Sequence, residues 1–256
     1  MTAPFDLTGR IALVTGTGSG LGRAAALALA DAGADVALTE LPERIAAADA
    51  TAREVEKRGR RAAVVPLDVL RLPMIGEAVD RTLAAFGRID VLVNNAGLNV
   101  PKLAVDVTEQ DWDRVLDVDL KGVFFMTQAV AKKAMIPQEG GNVVNIASMM
   151  GVVGYTYRAA YCSAKAGVLN LTRVLSFEWA KHQIRVNAVA PTFVDTPLTR
   201  PMFEDPEFKA DVLRRIPLGR LATPEEIAGA VVYLASPAAA MVTGHTLLVD
   251  GGWTAV

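Results

Sequence analysis

The chain has 256 residues, 52% of them hydrophobic and 21% charged, which supplies one sizeable core and excludes a disordered chain. Lys plus Arg number 26 against 28 Asp plus Glu, a net charge of −2, so the basic excess of a protein that lives on nucleic acid or anionic lipid is missing. A single cysteine, Cys162, excludes an intrachain disulfide and suits a reducing, cytoplasmic compartment.

Strand-like runs are predicted at 11–15, 36–39, 63–66, 91–94, 143–146, 185–189 and 246–249. Helical patterns fall between them at 21–32, 43–58, 75–86, 112–134, 161–181 and 224–234. The strand runs are continuously apolar, which implies burial on both faces. Strand–helix alternation of that kind means βαβ units around a parallel sheet, in one domain spanning 1–256. Two helix starts are written in the sequence: Thr108-Glu109-Gln110-Asp111, and Thr223-Pro224-Glu225-Glu226 with Pro at the first helical position. Residues 191–222 hold Pro191, Pro197, Pro201, Pro206 and Pro217 and one short helical pattern near 208–215. A loop this long in a compact domain is expected to be a substrate lid. No apolar run reaches the roughly 18 residues of a membrane helix, and the first ten residues lack a secretion-signal pattern. His182 and His245 match no metal-ligand spacing.

The first strand runs into Thr15-Gly16-Thr17-Gly18-Ser19-Gly20-Leu21-Gly22 and then a helix. Glycines there let the backbone turn tightly and approach a pyrophosphate, which a helix N-terminus stabilises through free N–H groups and its dipole. The spacing departs from G-x-G-x-x-G because Leu21 falls where the last glycine belongs. Gly16, Gly20 and Gly22 are therefore the key expected positions, with Ser19 and Leu21 between them. Glu40, at the end of the second strand, stands where a dinucleotide site wants an acid for the adenosine ribose hydroxyls. A carboxylate there repels a 2′-phosphate. Ser19 and Leu41 beside it are uncharged and Arg44 is the nearby cation, so NAD is favoured over NADP.

Tyr161 and Lys165 lie at i and i+4 of a predicted helix and share a face. That spacing means little alone, but Ser148 lies just past the fifth strand, at the carboxyl edge of the sheet where α/β ligand sites form. Thr15 to Gly22, Asn94-Asn95-Ala96-Gly97, Ser148, Tyr161-x-x-x-Lys165, Arg185-Val186-Asn187 and Asp250-Gly251-Gly252 together resemble the short-chain dehydrogenase/reductase family, in order and spacing, over nearly the whole chain. The resemblance implies a single doubly wound Rossmann-type α/β domain with a seven-stranded parallel sheet, commonly assembled as a homotetramer through the fourth and fifth helix regions. It also implies that Tyr161 is the general acid/base, that Ser148 hydrogen-bonds the substrate oxygen, and that Lys165 holds the nicotinamide ribose. Asp68 and Val69 resemble the pair that contacts adenine. Asn95, Ala96 and Gly97 resemble the segment against the adenosine ribose, and Pro191, Val194 and Thr196 the stretch that holds the carboxamide.

The chemistry agrees with that assignment. Hydride transfer between a secondary alcohol and nicotinamide requires proton movement at the alcohol oxygen, and a tyrosine of pKa about 10 is a poor base at neutral pH. A Lys165 ammonium favours the phenolate; a downward shift of about 2–3 units represents roughly 3–4 kcal/mol. Cys162 points about 100° away from Tyr161 on a helix, and reads as a small packed residue.

Two departures from the family pattern matter. Thr192 follows Pro191 where the family has Gly. Asp119, in Asp119-Leu120-Lys121-Gly122, stands where the family has an Asn that holds a water linking Lys165 to solvent. An ionised Asp119 stabilises the Lys165 ammonium and partly offsets its charge at Tyr161, and is expected to support the proton relay within the catalytic set.

The substrate pocket is expected between 98–102, 149–158 and 191–222. These segments carry Asn99, Lys102, Tyr155, Tyr157, Arg158 and Arg200 beside Met149, Met150 and Phe193. This polar-leaning set suits a sugar, polyol or sugar acid. Arg158 is the candidate for bidentate binding of a carboxylate, the alternative being an outward surface arginine. Two rivals remain: an NADPH-dependent 3-oxoacyl reductase, against which Glu40 argues, and a catalytically silent dinucleotide-binding sensor, favoured only by Asp119.

Overall fold

Seven short, β-branched runs form the strands β1 (Ile11–Thr15), β2 (Asp35–Glu40), β3 (Ala62–Pro66), β4 (Val91–Asn94), β5 (Gly141–Ile146), β6 (Ile184–Pro191) and β7 (Thr246–Val249). They pair in parallel in the order β3-β2-β1-β4-β5-β6-β7. The structure, a computed structural model, describes residues 3–197 and 199–255. The first two residues of the N-terminal segment, residue 198 of the predicted lid and the last residue lie outside them.

Successive side chains of each strand feed opposite cores. Ala12, Val14, Val36, Leu38, Val91, Val93, Val144 and Ile146 pack on one face with helices α1 (Gly20–Asp31), α2 (Ile45–Lys57) and α8 (Pro224–Ala235). Leu13, Ala37, Leu92, Val143 and Val186 pack on the other with α3 (Leu72–Phe86), α5 (Val123–Val130) and α6 (Ala159–Trp179). Each fully buried Val or Leu contributes about 1.5–3 kcal/mol, so both faces select apolar residues, which accounts for the continuous runs. Among the described residues no helix is long and apolar enough to cross a membrane.

The order and type of the expected elements hold, and the differences have local causes. Helix α3 starts before residue 75, because Pro73 sits in its first turn, where a missing N–H is harmless. Strand β6 runs on to Pro191 because β7 pairs with it that far, Pro191 opposite Val249. The expected helix at 112–134 starts at Glu109, behind a Thr108–Asp111 capping box, as α4 (Glu109–Leu116). It continues into α5 through one π turn at Asp117–Gly122, and a second π turn follows at Ala131–Met135. The lid holds a 3₁₀ turn at Arg200–Glu204 and α7 (Pro206–Arg215), whose first N–H groups are capped by Asp205.

A buried polar chain sets α6 against the sheet. Asn94 Nδ2 donates to Thr127 Oγ1 at 2.7 Å and to Asn145 Oδ1 at 2.8 Å, and Asn145 Nδ2 donates to Thr172 Oγ1 at 2.9 Å. A satisfied network of this kind fixes one register among several that apolar packing alone would tolerate. It joins β4 and β5 to the middle of α6, and so fixes where the first turns of α6 stand above the sheet edge.

Candidate active site

At the carboxyl end of β1 the chain enters the glycine turn. Gly16 and Gly20 have φ of +70° and +55°, conformations that favour glycine. A Cβ on Gly22 would lie 2.1 Å from the Gly16 carbonyl oxygen, so only glycine lets α1 start this close to β1. Ser19 is the N-cap residue of α1 but makes no side-chain cap bond. The N–H groups of Gly20, Leu21 and Gly22 therefore have no intrahelical partner, and the helix dipole points at the same place. The Leu21 side chain packs into the core. Asn95 and Ala96 hold the turn from the β4 side. Both backbone N–H groups donate to Thr15 Oγ1 at 2.9 Å, and Asn95 Nδ2 donates to the carbonyls of Thr15 at 2.8 Å and Gly16 at 3.1 Å. The Asn95 amide thus fixes the cradle. Thr196 stands opposite, its side chain 3.7 Å from where a Gly20 Cβ would be.

Glu40 ends β2 and is 6% exposed. Its Oε2 accepts the Gly18 N–H at 2.8 Å and Oε1 accepts the Leu41 N–H at 3.1 Å. A Gly18 Cβ would sit 2.7 Å from that oxygen, so Gly18 is present to admit Glu40. Arg44 is exposed in the next turn. Asp68, past β3, accepts the Leu70 N–H at 3.0 Å, and Val69 packs against the second core beside Gly122. Pro191 ends β6 and Val194 is buried and bridged to Ala222. Thr192 is buried, and its N–H donates to Val249 O at 3.2 Å, so the substitution for glycine leaves the strand extension intact. The free helix N-terminus, the tight glycines and the Glu40 carboxylate fit a dinucleotide.

The second cluster lies where β5 ends. Ser148 caps a single 3₁₀ turn at Met149–Gly151, its Oγ accepting the Met150 N–H at 3.1 Å. A Cβ on Gly151 would lie 2.8 Å from the Lys165 backbone, so this turn rests directly on α6. Lys165 is 4% exposed and donates from Nζ to the Ile146 carbonyl at 3.0 Å, with Nζ 5.5 Å from the centre of the Tyr161 ring. Asp119, 0% exposed, approaches the same Nζ with Oδ2 at 3.1 Å, while its Oδ1 accepts the Leu98 N–H at 2.8 Å. Gly97 lies against the same carboxylate, 3.2 Å from Oδ2 to where its Cβ would be.

Burial of the phenolate is the largest influence on Tyr161 and pushes its pKa up. Lys165 pulls it down, Asp119 pushes it up again, and the Ser148 hydroxyl, as a hydrogen-bond partner, pulls it down. The net direction is upward, against the expectation that Lys165 would dominate. Burial disfavours the Lys165 ammonium, but the Asp119 carboxylate and Tyr161 outweigh it and hold Lys165 above its ordinary value. Burial likewise raises Asp119, against the pull of Lys165 and the Leu98 N–H. Asp119 and Lys165 thus form a tightly coupled buried pair, Lys165 held up by the facing carboxylate and Asp119 raised by its burial.

Arg158, the N-cap residue of α6, is 6% exposed. Its Nη1 donates to the Tyr157 carbonyl at 3.2 Å and its Nη2 lies 3.8 Å from Met202 Sδ. Its burial, not its pairing, argues against the outward-arginine alternative, and among the described residues no carboxylate lies within ion-pairing distance of it. The other candidate cations are engaged: Lys102 Nζ with Asp111 at 2.5 Å, and Arg200 with Asp195 at 2.8 Å on the surface. Tyr157 is exposed and has φ of +61°. The wall behind Ser148 is more aromatic than the sequence suggests. Met149, Met150, Phe193 and Trp253 are buried there with Tyr155, Phe203 and Phe208, and Cys162 packs at the cluster's edge. Trp253, Phe203 and Phe208 were not expected from the sequence. Trp253 lies within the segment after Asp250-Gly251-Gly252, and no spacing rule links it to Tyr155. Among the described residues no His, Cys, Asp and Glu groups cluster as a metal site.

Residues 16–254 match the family model described as enoyl-(acyl carrier protein) reductase. The 2-dehydro-3-deoxy-D-gluconate 5-dehydrogenase of Escherichia coli (strain K12) is 42% identical over 251 residues, covering 98% of each chain. The 3-oxoacyl-[acyl-carrier-protein] reductase of Thermotoga maritima is 40% identical over 246 residues, covering 96% of this chain and 98% of the other. A solved gluconate 5-dehydrogenase from Burkholderia cenocepacia, in complex with NADP and tartrate, superposes with a TM-score of 0.94 at 36% identity, covering 99% of this chain and 98% of that one. With the sheet order, the glycine turn and the Ser148, Tyr161 and Lys165 cluster, these matches establish the chain as an NAD(P)-dependent oxidoreductase of the short-chain dehydrogenase/reductase family.

Proposed function

We propose that the protein oxidises a secondary alcohol of a small polyhydroxylated acid, with NAD as the preferred cofactor and Tyr161 as the general acid/base. The observation that carries this reading is Arg158, a buried guanidinium with no anionic partner among the described residues, at the start of the helix that bears Tyr161. An unpaired buried cation is costly, and a substrate carboxylate offsets that cost through two parallel hydrogen bonds. A bound nicotinamide dinucleotide supplies the hydride acceptor. The free N–H groups of Gly20, Leu21 and Gly22 hold its pyrophosphate, Glu40 its adenosine ribose, Asp68 and Val69 its adenine, and Lys165 its nicotinamide ribose. Ser148 donates to the substrate oxygen and Tyr161 takes the alcohol proton. Pro191, Val194 and Thr196 line the side opposite the glycine turn.

The NAD preference rests on the buried Glu40 carboxylate, which repels a 2′-phosphate. Assembly as a homotetramer in a reducing cytoplasm belongs to the same reading, supported by exposed Trp112, Val174 and Phe177 on α4 and α6 and by the lone Cys162. A panel of aldonic and deoxy sugar acids, neutral polyols and 3-oxoacyl thioesters, assayed by NADH and NADPH absorbance, tests the proposal. The expected result is NAD-dependent turnover that favours the acids. Good turnover of 3-oxoacyl thioesters alone, with NADPH, would replace this reading with that of an acyl reductase.

A further inference from the structure

Among the described residues, Lys165–Asp119 is the only ion pair with both side chains buried. Asp119 is delivered to it by the π turn at Asp117–Gly122, a rare backbone form that recurs at functional sites. Its Oδ1 is taken by the Leu98 N–H. Its Oδ2 lies 3.1 Å from Lys165 Nζ and makes no other polar contact among the described residues. The carboxylate therefore acts on Lys165 chiefly through its charge.

We infer that Asp119 is a positioning residue that sets the pH at which Tyr161 releases its proton: its carboxylate pins the Lys165 ammonium and cancels much of that ammonium's pull on the phenol. Seen from Tyr161, the two side chains form a nearly neutral pair. Lys165 holds its place against Ile146 O and remains a donor, yet no longer makes Tyr161 a strong acid. In the free protein Tyr161 stays a phenol through the neutral range, a proton donor suited to ketone reduction, and alcohol oxidation strengthens as the medium becomes alkaline.

The neighbouring charges leave this assignment intact. On α6 the titratable groups acting on Tyr161 are Lys165 and Cys162, with Ser148 contributing a hydrogen bond from the β5 side. Arg158, the buried cation at the N-cap of α6, acts on Tyr161 as well as on Tyr155 and Cys162, and its charge is the same in the wild type and in both Asp119 variants. On α4 and the π turn packed against α6, Arg114 is exposed, and Asp117 and Lys121 pair with each other on the outer surface. Asp119 is thus the carboxylate that faces the Lys165–Tyr161 pair.

The contacts of 3.1 Å and 5.5 Å place the Asp119 carboxylate within about 9 Å of the Tyr161 ring. At an effective dielectric constant of about 20, a unit charge at that distance displaces a titration by roughly one unit or slightly more.

The test is a titration of the tyrosine phenolate band, with NAD bound and without, in the wild type, Asp119→Asn and Asp119→Thr. The same variants carrying Tyr161→Phe identify the Tyr161 component. Both neutral variants are expected to move that component down by about one pH unit, with the alkaline limb of kcat/KM for oxidation following. Two replacements of different shape must agree, because charge and not fit produces the shift. An unmoved or upward-moved Tyr161 component in either folded variant overturns the inference. The titration needs no substrate, so a turnover panel that refutes the proposed sugar-acid chemistry leaves this outcome readable on its own.

Discussion

Replacing Arg158 with Met separates a residue kept for its ligand from one kept for the fold. The guanidinium carries five N–H donors. The structure gives it one ordinary bond, to Tyr157 O at 3.2 Å, and one weak contact, to Met202 Sδ at 3.8 Å. Burial presses it toward its neutral form, and no acid among the described residues relieves that pressure. Its removal should therefore help folding: apolar replacement of a buried charge is worth up to a few kcal/mol, less about 1 kcal/mol for the lost bond to Tyr157. A net gain of about 1 kcal/mol raises the melting temperature by roughly 2–4 °C in a chain of this size. Activity should move the other way. Losing a desolvated charge pair with a substrate carboxylate costs about 2–5 kcal/mol, or roughly thirtyfold to several thousandfold in kcat/KM for an acid. Neutral polyols, which have no carboxylate to lose, should change by less than about threefold on the same argument. Arg158→Lys should recover part of the loss, since it keeps the charge without the planar fork. The measurements are calorimetric unfolding and paired kinetics on an acid and its neutral counterpart. Equal losses for both, or a large fall in melting temperature, would show that Arg158 serves packing and would refute the reasoning.

Three further outcomes are expected. Glu40→Gln keeps an acceptor for the Gly18 N–H but removes the charge, so kcat/KM with NADPH should rise about tenfold or more while that with NADH changes little; an unchanged cofactor ratio would place discrimination elsewhere. Gly22→Ala forces a Cβ to within 2.1 Å of Gly16 O and 2.4 Å of Asn95 Nδ2, and should cost about 2–3 kcal/mol of stability and abolish dinucleotide binding, read by calorimetry and NADH fluorescence. Gln183→Gly, at φ of +57° between the 3₁₀ turn at Ala180–His182 and β6, should stabilise by about 0.5–1 kcal/mol in denaturant titration, with activity unchanged.

Features that depend on short stretches of backbone were legible in the sequence. The glycines that let α1 close on β1, the capping boxes at Thr108 and Thr223, and the shared face of Tyr161 and Lys165 each follow from a local rule, and each has the expected form. The continuous strand runs likewise announced two cores, because alternate residues of Ile11–Thr15 enter opposite ones. Pairings between distant segments were not legible. Asp111, read as a capping residue, also captures Lys102 and takes that cation out of the substrate pocket, while Asp195 takes Arg200. Trp253 and Phe193, distant from Tyr155 in sequence, both meet its ring edge-on, which turns an expected polar pocket into a largely aromatic wall.

The same limit applies to the Tyr161 proton, where the downward pull of Lys165 is legible in the sequence and the opposing burial is not. Spacing places Lys165 beside Tyr161 and gives the attraction between ammonium and phenolate. It does not give the depth at which the phenol is buried, nor the distance at which Asp119 stands behind Lys165. Those two quantities come from the packing of α6 on the Met149–Gly151 turn and from the π turn that carries Asp119 inward, and together they outweigh the ammonium. A pattern of three residue types thus points to the proposed proton-transfer group, while the pH at which that group would work depends, on the inference drawn above, on a fourth residue whose effect is decided by burial and distance. A carboxylate at 119 in an exposed site would be screened to insignificance; at 0% exposure and 3.1 Å from Lys165 it is one of the larger charges that Tyr161 feels.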